Sequence, residues 1–89
     1  MTIRVLRSTR AAAEIREIAT YLEEHSRPVA QRFLEALERA EQQLSQFLNS
    51  GAPAPRWLIV ANHVVSYWRR GGDVEIFAVR HACRRDARV

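Results

Sequence analysis

The sequence predicts an α+β domain of order βααβββ, with a helical hairpin laid on one face of a small, mostly antiparallel four-stranded sheet. Three observations predict it. Apolar residues recur at helical spacing through two consecutive stretches between Ser8 and Asn49. After Pro53 and Pro55 the period becomes that of strands, rich in β-branched and aromatic residues. Two short turn sequences, Asn62-His63 and Arg70-Gly71-Gly72-Asp73, then divide this half into three runs.

The elements follow in order. Ile3, Val5 and Arg7 alternate with Arg4 and Leu6, which predicts a short first strand. Ser8 or Thr9 can cap the first helix by accepting a hydrogen bond from an unpaired backbone amide. Within that helix Ala12, Ile15, Ile18, Ala19 and Leu22 form one stripe, and Glu14, Arg16, Glu17, Glu23 and Glu24 belong to the wet faces. His25-Ser26-Arg27-Pro28 breaks the pattern. Ser26 can cap a second helix with Pro28 in its first turn, where a missing amide proton costs little. Ala30, Phe33, Leu34, Leu37, Ala40, Leu44, Phe47 and Leu48 carry the second stripe to Asn49, with Glu35 and Arg39 spaced for an i,i+4 pair and Gly51 able to end the helix. The strands are read as Arg56–Ala61, Val64–Arg69 and Val74–Arg80. Hairpin connections make them adjacent and antiparallel, while the edge that the first strand joins is left open. Tyr67 and Trp68 point to opposite faces, so one of them belongs to the core.

Residues 1–89 read as one small domain with a thin core. Fourteen Arg and no Lys stand against ten acids, for a net charge of +4. Met1 to Pro55 balances, seven Arg against seven acids, whereas Arg56 to Val89 holds seven Arg against three and carries the whole surplus. A localised positive field favours an acidic partner, either nucleic acid or an acidic protein surface. The single Cys83 cannot close an intramolecular disulfide and fits a reducing cytosol. The longest apolar run, Trp57–Ala61, is too short to span a membrane, and the charged N-terminal residues lack the apolar region of a signal peptide. A cytoplasmic protein is expected. His25 and His63 are read as solvated turn residues and His81 as a strand-end residue. With Cys83 they match no zinc spacing, so neither a metal nor a cofactor is expected.

The order of elements and the residues they carry resemble the ParE branch of the ParE/RelE toxin superfamily over nearly the whole chain. Ala12, Glu14-Ile15 and Ile18 through Tyr21-Leu22 are similar to that family's first-helix pattern. Arg56-Trp57-Leu58, Asn62 through Arg69, and Val74 through His81 are similar to its sheet blocks, and Ala82-Cys83-Arg84-Arg85-Asp86 to its basic end. The resemblance implies a toxin of a type II toxin–antitoxin module, wrapped by a small ParD-like antitoxin, with DNA gyrase as the target and inhibition by binding. It implies antitoxin contacts at Ile15, Leu22, Phe33, Leu37, Trp57 and Trp68, and target contacts at Arg80, His81, Arg84, Arg85 and Arg88. The alternative within the superfamily is a ribosome-dependent mRNA endonuclease, for which Arg69, Arg80 and His81 are the candidate catalytic residues. Cleavage through the 2′-hydroxyl needs a general base, a group that stabilises the phosphorane-like state and an acid. The chain has no Lys to serve as base. Val64 replaces the arginine of the nuclease relatives, and no aromatic follows Phe77 to stack a base. These differences favour the non-nuclease reading.

Overall fold

The computed structural model describes residues 3–49 and 57–82. The expectations placed on Gly51, Pro53, Pro55 and Arg56, and on Cys83, Arg84, Arg85 and Arg88, lie outside the described residues. Six elements follow in the predicted order: β1 (Val5–Arg7), α1 (Thr9–His25), α2 (Arg27–Asn49), β2 (Trp57–Val60), β3 (His63–Arg70) and β4 (Asp73–His81). The sheet runs β1-β4-β3-β2, with β1 parallel to β4 and the other pairs antiparallel. The edge that the sequence left open for β1 is therefore the outer side of β4.

Two serines set the helix boundaries. Ser8 donates its amide to the Ile76 carbonyl at 2.9 Å, closing the β1 pairing, and its Oγ accepts from the Ala11 amide at 3.0 Å. Ser26 serves both helices. Its amide donates to the Leu22 carbonyl at 2.7 Å, while its carbonyl accepts from Ala30 at 3.1 Å and its Oγ from Val29 at 3.4 Å. One extended residue thus replaces a loop, and the hairpin turns sharply.

The apolar stripes meet on the inner face of the sheet. Ala11, Ile15, Phe33, Leu37 and Leu44 are buried against Val65, Val74, Ile76 and Val79. The innermost small residue of α1 is Ala11 rather than Ala12, which is only half-buried. Leu34 and Phe47 are exposed and flank the stripe, because each sits off the core-facing line of α2. The i,i+4 ion pairs that form are Arg10–Glu14 and Glu23–Arg27; Glu35 and Arg39 do not come within ion-pair distance.

β1 is short and is held by side chains on both sides. Arg7 reaches Glu41 of α2 through two hydrogen bonds of 2.8 and 3.1 Å, and Arg4 reaches Asp73 at 2.8 Å. The last turn of α2 grips the start of the strand, with Asn49 Oδ1 accepting from the Ile3 amide and Ser45 Oγ donating to the Ile3 carbonyl. Because β1 stops at Arg7, the side of β4 beyond Ile76 has no strand neighbour. The Val79 amide on that side donates instead to Glu14 Oε1 of α1 at 2.8 Å. A carboxylate assigned by sequence to a wet face therefore completes the hydrogen bonding of the sheet.

A bulge marks the middle of the β3–β4 ladder. Ser66 pairs with Ala78 but Tyr67 with Ile76, so Phe77 is the extra residue on β4. The alternation resets there: Val74 and Ile76 point inward before it and Val79 after it. Of the two adjacent aromatics Tyr67 is in the core and Trp68 is outside, where it stacks on Phe77 with ring centroids 4.4 Å apart. The Tyr67 hydroxyl is buried without a hydrogen-bond partner among the described residues. Tyr67→Phe is therefore expected to stabilise the chain by about 1 kcal/mol, since it removes the desolvation cost of an unpaired hydroxyl; the midpoint of urea unfolding measures this.

The β2–β3 turn differs from the sequence reading by one residue. Val60 pairs with His63, so the turn residues are Ala61 and Asn62, at φ 49° and 67°. Both positive angles are those of a type I′ turn. Asn takes this conformation readily, whereas Ala61 holds it at a cost through the clash of its Cβ. Ala61→Gly should raise the unfolding free energy by about 0.5–1 kcal/mol, relief of strain outweighing the freer unfolded chain, and should shift the urea midpoint upward.

Candidate functional site

The one-residue shift at the turn moves His63 from solvent into the fold. It is 5% exposed, with its ring 4.8 Å from Phe33 on one side and 4.9 Å from His81 on the other. His63 and His81 are directly opposed on β3 and β4. His63 Nδ1 lies 2.8 Å from the Ala61 carbonyl. A carbonyl only accepts, so this contact fixes the tautomer with the proton on Nδ1.

Burial pushes the pKa of His63 below its ordinary value of 6.5; the hydrogen bond to Ala61 opposes the shift and the neighbouring His81 adds to it. The unfolded chain then binds a proton at His63 at a higher pH than the folded chain does. Stability is full above about 6.5 and falls as the pH drops from there towards the lower folded value. Melting temperature should therefore decline between pH 7 and the pH at which carboxylates begin to titrate. In His63→Phe that part of the slope should disappear.

The histidine pair closes one end of a cleft of about 820 Å³ between the helical hairpin and the β2–β3 turn. Its floor is apolar, built from Ile18 and Leu22 of α1 and Phe33 and Ala36 of α2. Tyr21, 61% exposed, and Val29, 38% exposed, stand at its mouth. Arg32, Glu35 and Arg39 form the rim on α2, and Glu17 the rim on α1. An apolar concavity of this size with a few polar groups at its border has the form of a binding site. No group of three His, Cys, Asp or Glu side chains among the described residues is arranged to hold a metal ion.

The residues expected to bind an antitoxin divide among three places. Ile15 and Leu37 are core, at 4% and 0% exposure, and offer no surface: periodicity put them on the right face but too deep. Phe33 is also buried at 2%, yet one part of it and the half-buried Leu22 border the cleft. Trp57 and Trp68 are about half exposed on the helix-free face of the sheet, where each alternates with inward-pointing neighbours. The candidate catalytic set does not assemble. Arg69 pairs with Val74 near one end of the hairpin and Arg80 with Val64 near the other, about 17 Å apart at ~3.3 Å per residue. Arg80 and His81 are adjacent on a strand and point to opposite faces, so only His81 enters the cleft. The residues that sequence reading missed are His63, Val29, Arg32 and Arg39. His63 was within reach from the two-residue spacing of the turn. The others follow from how the hairpin leans on the sheet, which no local pattern encodes.

These features describe a small α+β domain with an open apolar cleft and no assembled catalytic cluster among the described residues. The family model described as ParE toxin of type II toxin-antitoxin system, parDE, matches residues 5–85. The chain belongs to that family, which makes it the toxin of a toxin–antitoxin module and implies an antitoxin partner. No curated protein matches the chain. No helix among the described residues is long and apolar enough to cross a membrane.

Proposed function

We propose that the chain inhibits DNA gyrase by binding it in the cytoplasm, and that a ParD-like antitoxin neutralises it by laying an amphipathic helix into the cleft between the hairpin and the β2–β3 turn. The observation that carries the antitoxin part is the apolar floor of the half-buried Ile18, Leu22 and Ala36, open to solvent beneath the exposed Tyr21 and Val29. A helix seated there would cover apolar surface and stabilise the toxin by linkage. For the target, the exposed Arg80 at the end of β4 leads into the Arg84, Arg85 and Arg88 of the basic end, and His81 lies between them. The separation of Arg69 from Arg80, and the opposite facing of Arg80 and His81, support the non-nuclease reading over mRNA cleavage.

The test separates the two surfaces. A chain truncated before Arg84 should lose toxicity in a growth assay and still be captured by the antitoxin. Loss of both properties would mean that the basic end serves folding instead. His81→Ala should leave the mRNA pool intact in cells that express it, as the unaltered chain does.

A further inference from the structure

Most arginines of the helical half are held by carboxylates, but two that border the cleft are not. Of the seven Arg between Met1 and Pro55, Arg4, Arg7, Arg10 and Arg27 each meet a carboxylate. Arg16, Arg32 and Arg39 have no such partner among the described residues, and the last two stand together on the α2 rim of the cleft. Glu35 stands between them on the same rim, also without an ion pair. The rim is therefore a ladder of plus, minus, plus at positions i, i+3 and i+7 of one helix face. Across the cleft Glu17 supplies a single negative charge.

Exposed charges of this kind contribute little to the isolated chain. Their weight changes when a partner covers the floor, because its flank is then brought against them and partly excludes water. A matched rim speeds association and a mismatched one is rejected. The spacing selects the form of the partner. The rungs are about 4.5 and 6 Å apart along the α2 axis at ~1.5 Å per residue. A helix lying along α2 reproduces both steps with its own i, i+3 and i+7 positions. A strand repeats on one face every ~6.6 Å and matches neither sequence of steps.

We propose that the cleft accepts an amphipathic helix whose apolar stripe is flanked, on the side facing α2, by an acid–base–acid ladder. Its rungs are spaced three and four residues apart in either order, and this ladder sets which partner is accepted. The proposal rests on the reading of the cleft as the antitoxin's seat and adds the chemistry of the recognised flank.

The test uses the full chain and synthetic helical peptides with one fixed leucine stripe. One pair carries Glu, Lys and Glu at the flank, at spacings of three-then-four and four-then-three. A second pair carries Lys, Glu and Lys at the same positions. One acid–base–acid peptide should bind about tenfold more tightly than its inverted counterpart, with the difference shrinking as salt is raised. In the triple variant Arg32→Glu, Glu35→Arg, Arg39→Glu the preference should reverse, which shows at once that this variant is folded. Equal binding of all peptides, abolished by filling the floor through Ala36→Trp, would overturn the ladder and leave the cleft reading standing. If no peptide binds either chain, both the cleft as a helix seat and the ladder fall.

Discussion

Leu37→Ala should destabilise the chain by about 3–4 kcal/mol, the usual cost of emptying a fully enclosed leucine site. Leu37 is 0% exposed at the centre of the layer between α2 and the sheet. Proteins commonly have about 0.05–0.15 kcal/mol of stability per residue, so 89 residues provide on the order of 4–13 kcal/mol in all. The substitution therefore removes a large part of the total. It should lower the melting temperature steeply and depress toxicity and antitoxin capture together, by depleting the folded form. Tyr21→Ala is the contrasting case. Tyr21 is mostly exposed at the mouth of the cleft. Its removal should leave melting nearly unchanged, within about 0.5 kcal/mol, and weaken antitoxin capture alone. Thermal melts run beside capture assays separate the two outcomes.

Glu14→Ala should cost about 2 kcal/mol and lower the melting temperature by roughly 10 °C. The Val79 amide from which Glu14 accepts is part-buried and lies on the side of β4 that β1 does not reach, because β1 is only three residues long. Without the carboxylate that amide is left unpaired, and α1 loses its only direct hydrogen bond to β4 among those described. Glu14→Gln keeps an acceptor of the same reach and should recover at least half of the loss. Equal destabilisation in both variants would place the effect on the Arg10 pairing instead, which only the charged side chain makes.

Local rules made much of the fold readable. The caps at Ser8 and Ser26 rest on a side-chain oxygen beside unpaired amides, and the glycines between β3 and β4 supply the turn, with Gly71 at φ 61°. What failed to show were consequences of pairing at a distance. A single residue of register at the Ala61–Asn62 turn decides whether His63 is solvated or buried, since adjacent strand residues face opposite ways. Glu14 lies on the polar side of α1 by sequence, and its partner amide is sixty-five residues away. Helical periodicity placed Ile15, Phe33 and Leu37 on the inward faces but carried no information on depth. Trp57 and Trp68 were grouped with them as apolar although the sheet holds them on its other side. The family was legible, because it is written in short ordered blocks along the whole chain. The cleft was not, because it exists only once the hairpin and the turn are brought together.

The proposed action, binding gyrase and not cutting RNA, can be read from purified components. A supercoiling assay with purified gyrase and the purified chain, run beside an in vitro translation reaction probed for mRNA cuts, tests it directly. Inhibited supercoiling or trapped cleaved DNA, with the mRNA intact, is the predicted result, and addition of the antitoxin should restore supercoiling. Cut mRNA with gyrase unaffected would contradict gyrase inhibition and would mean that His81 and the arginines at the end of β4 form a working site on the ribosome.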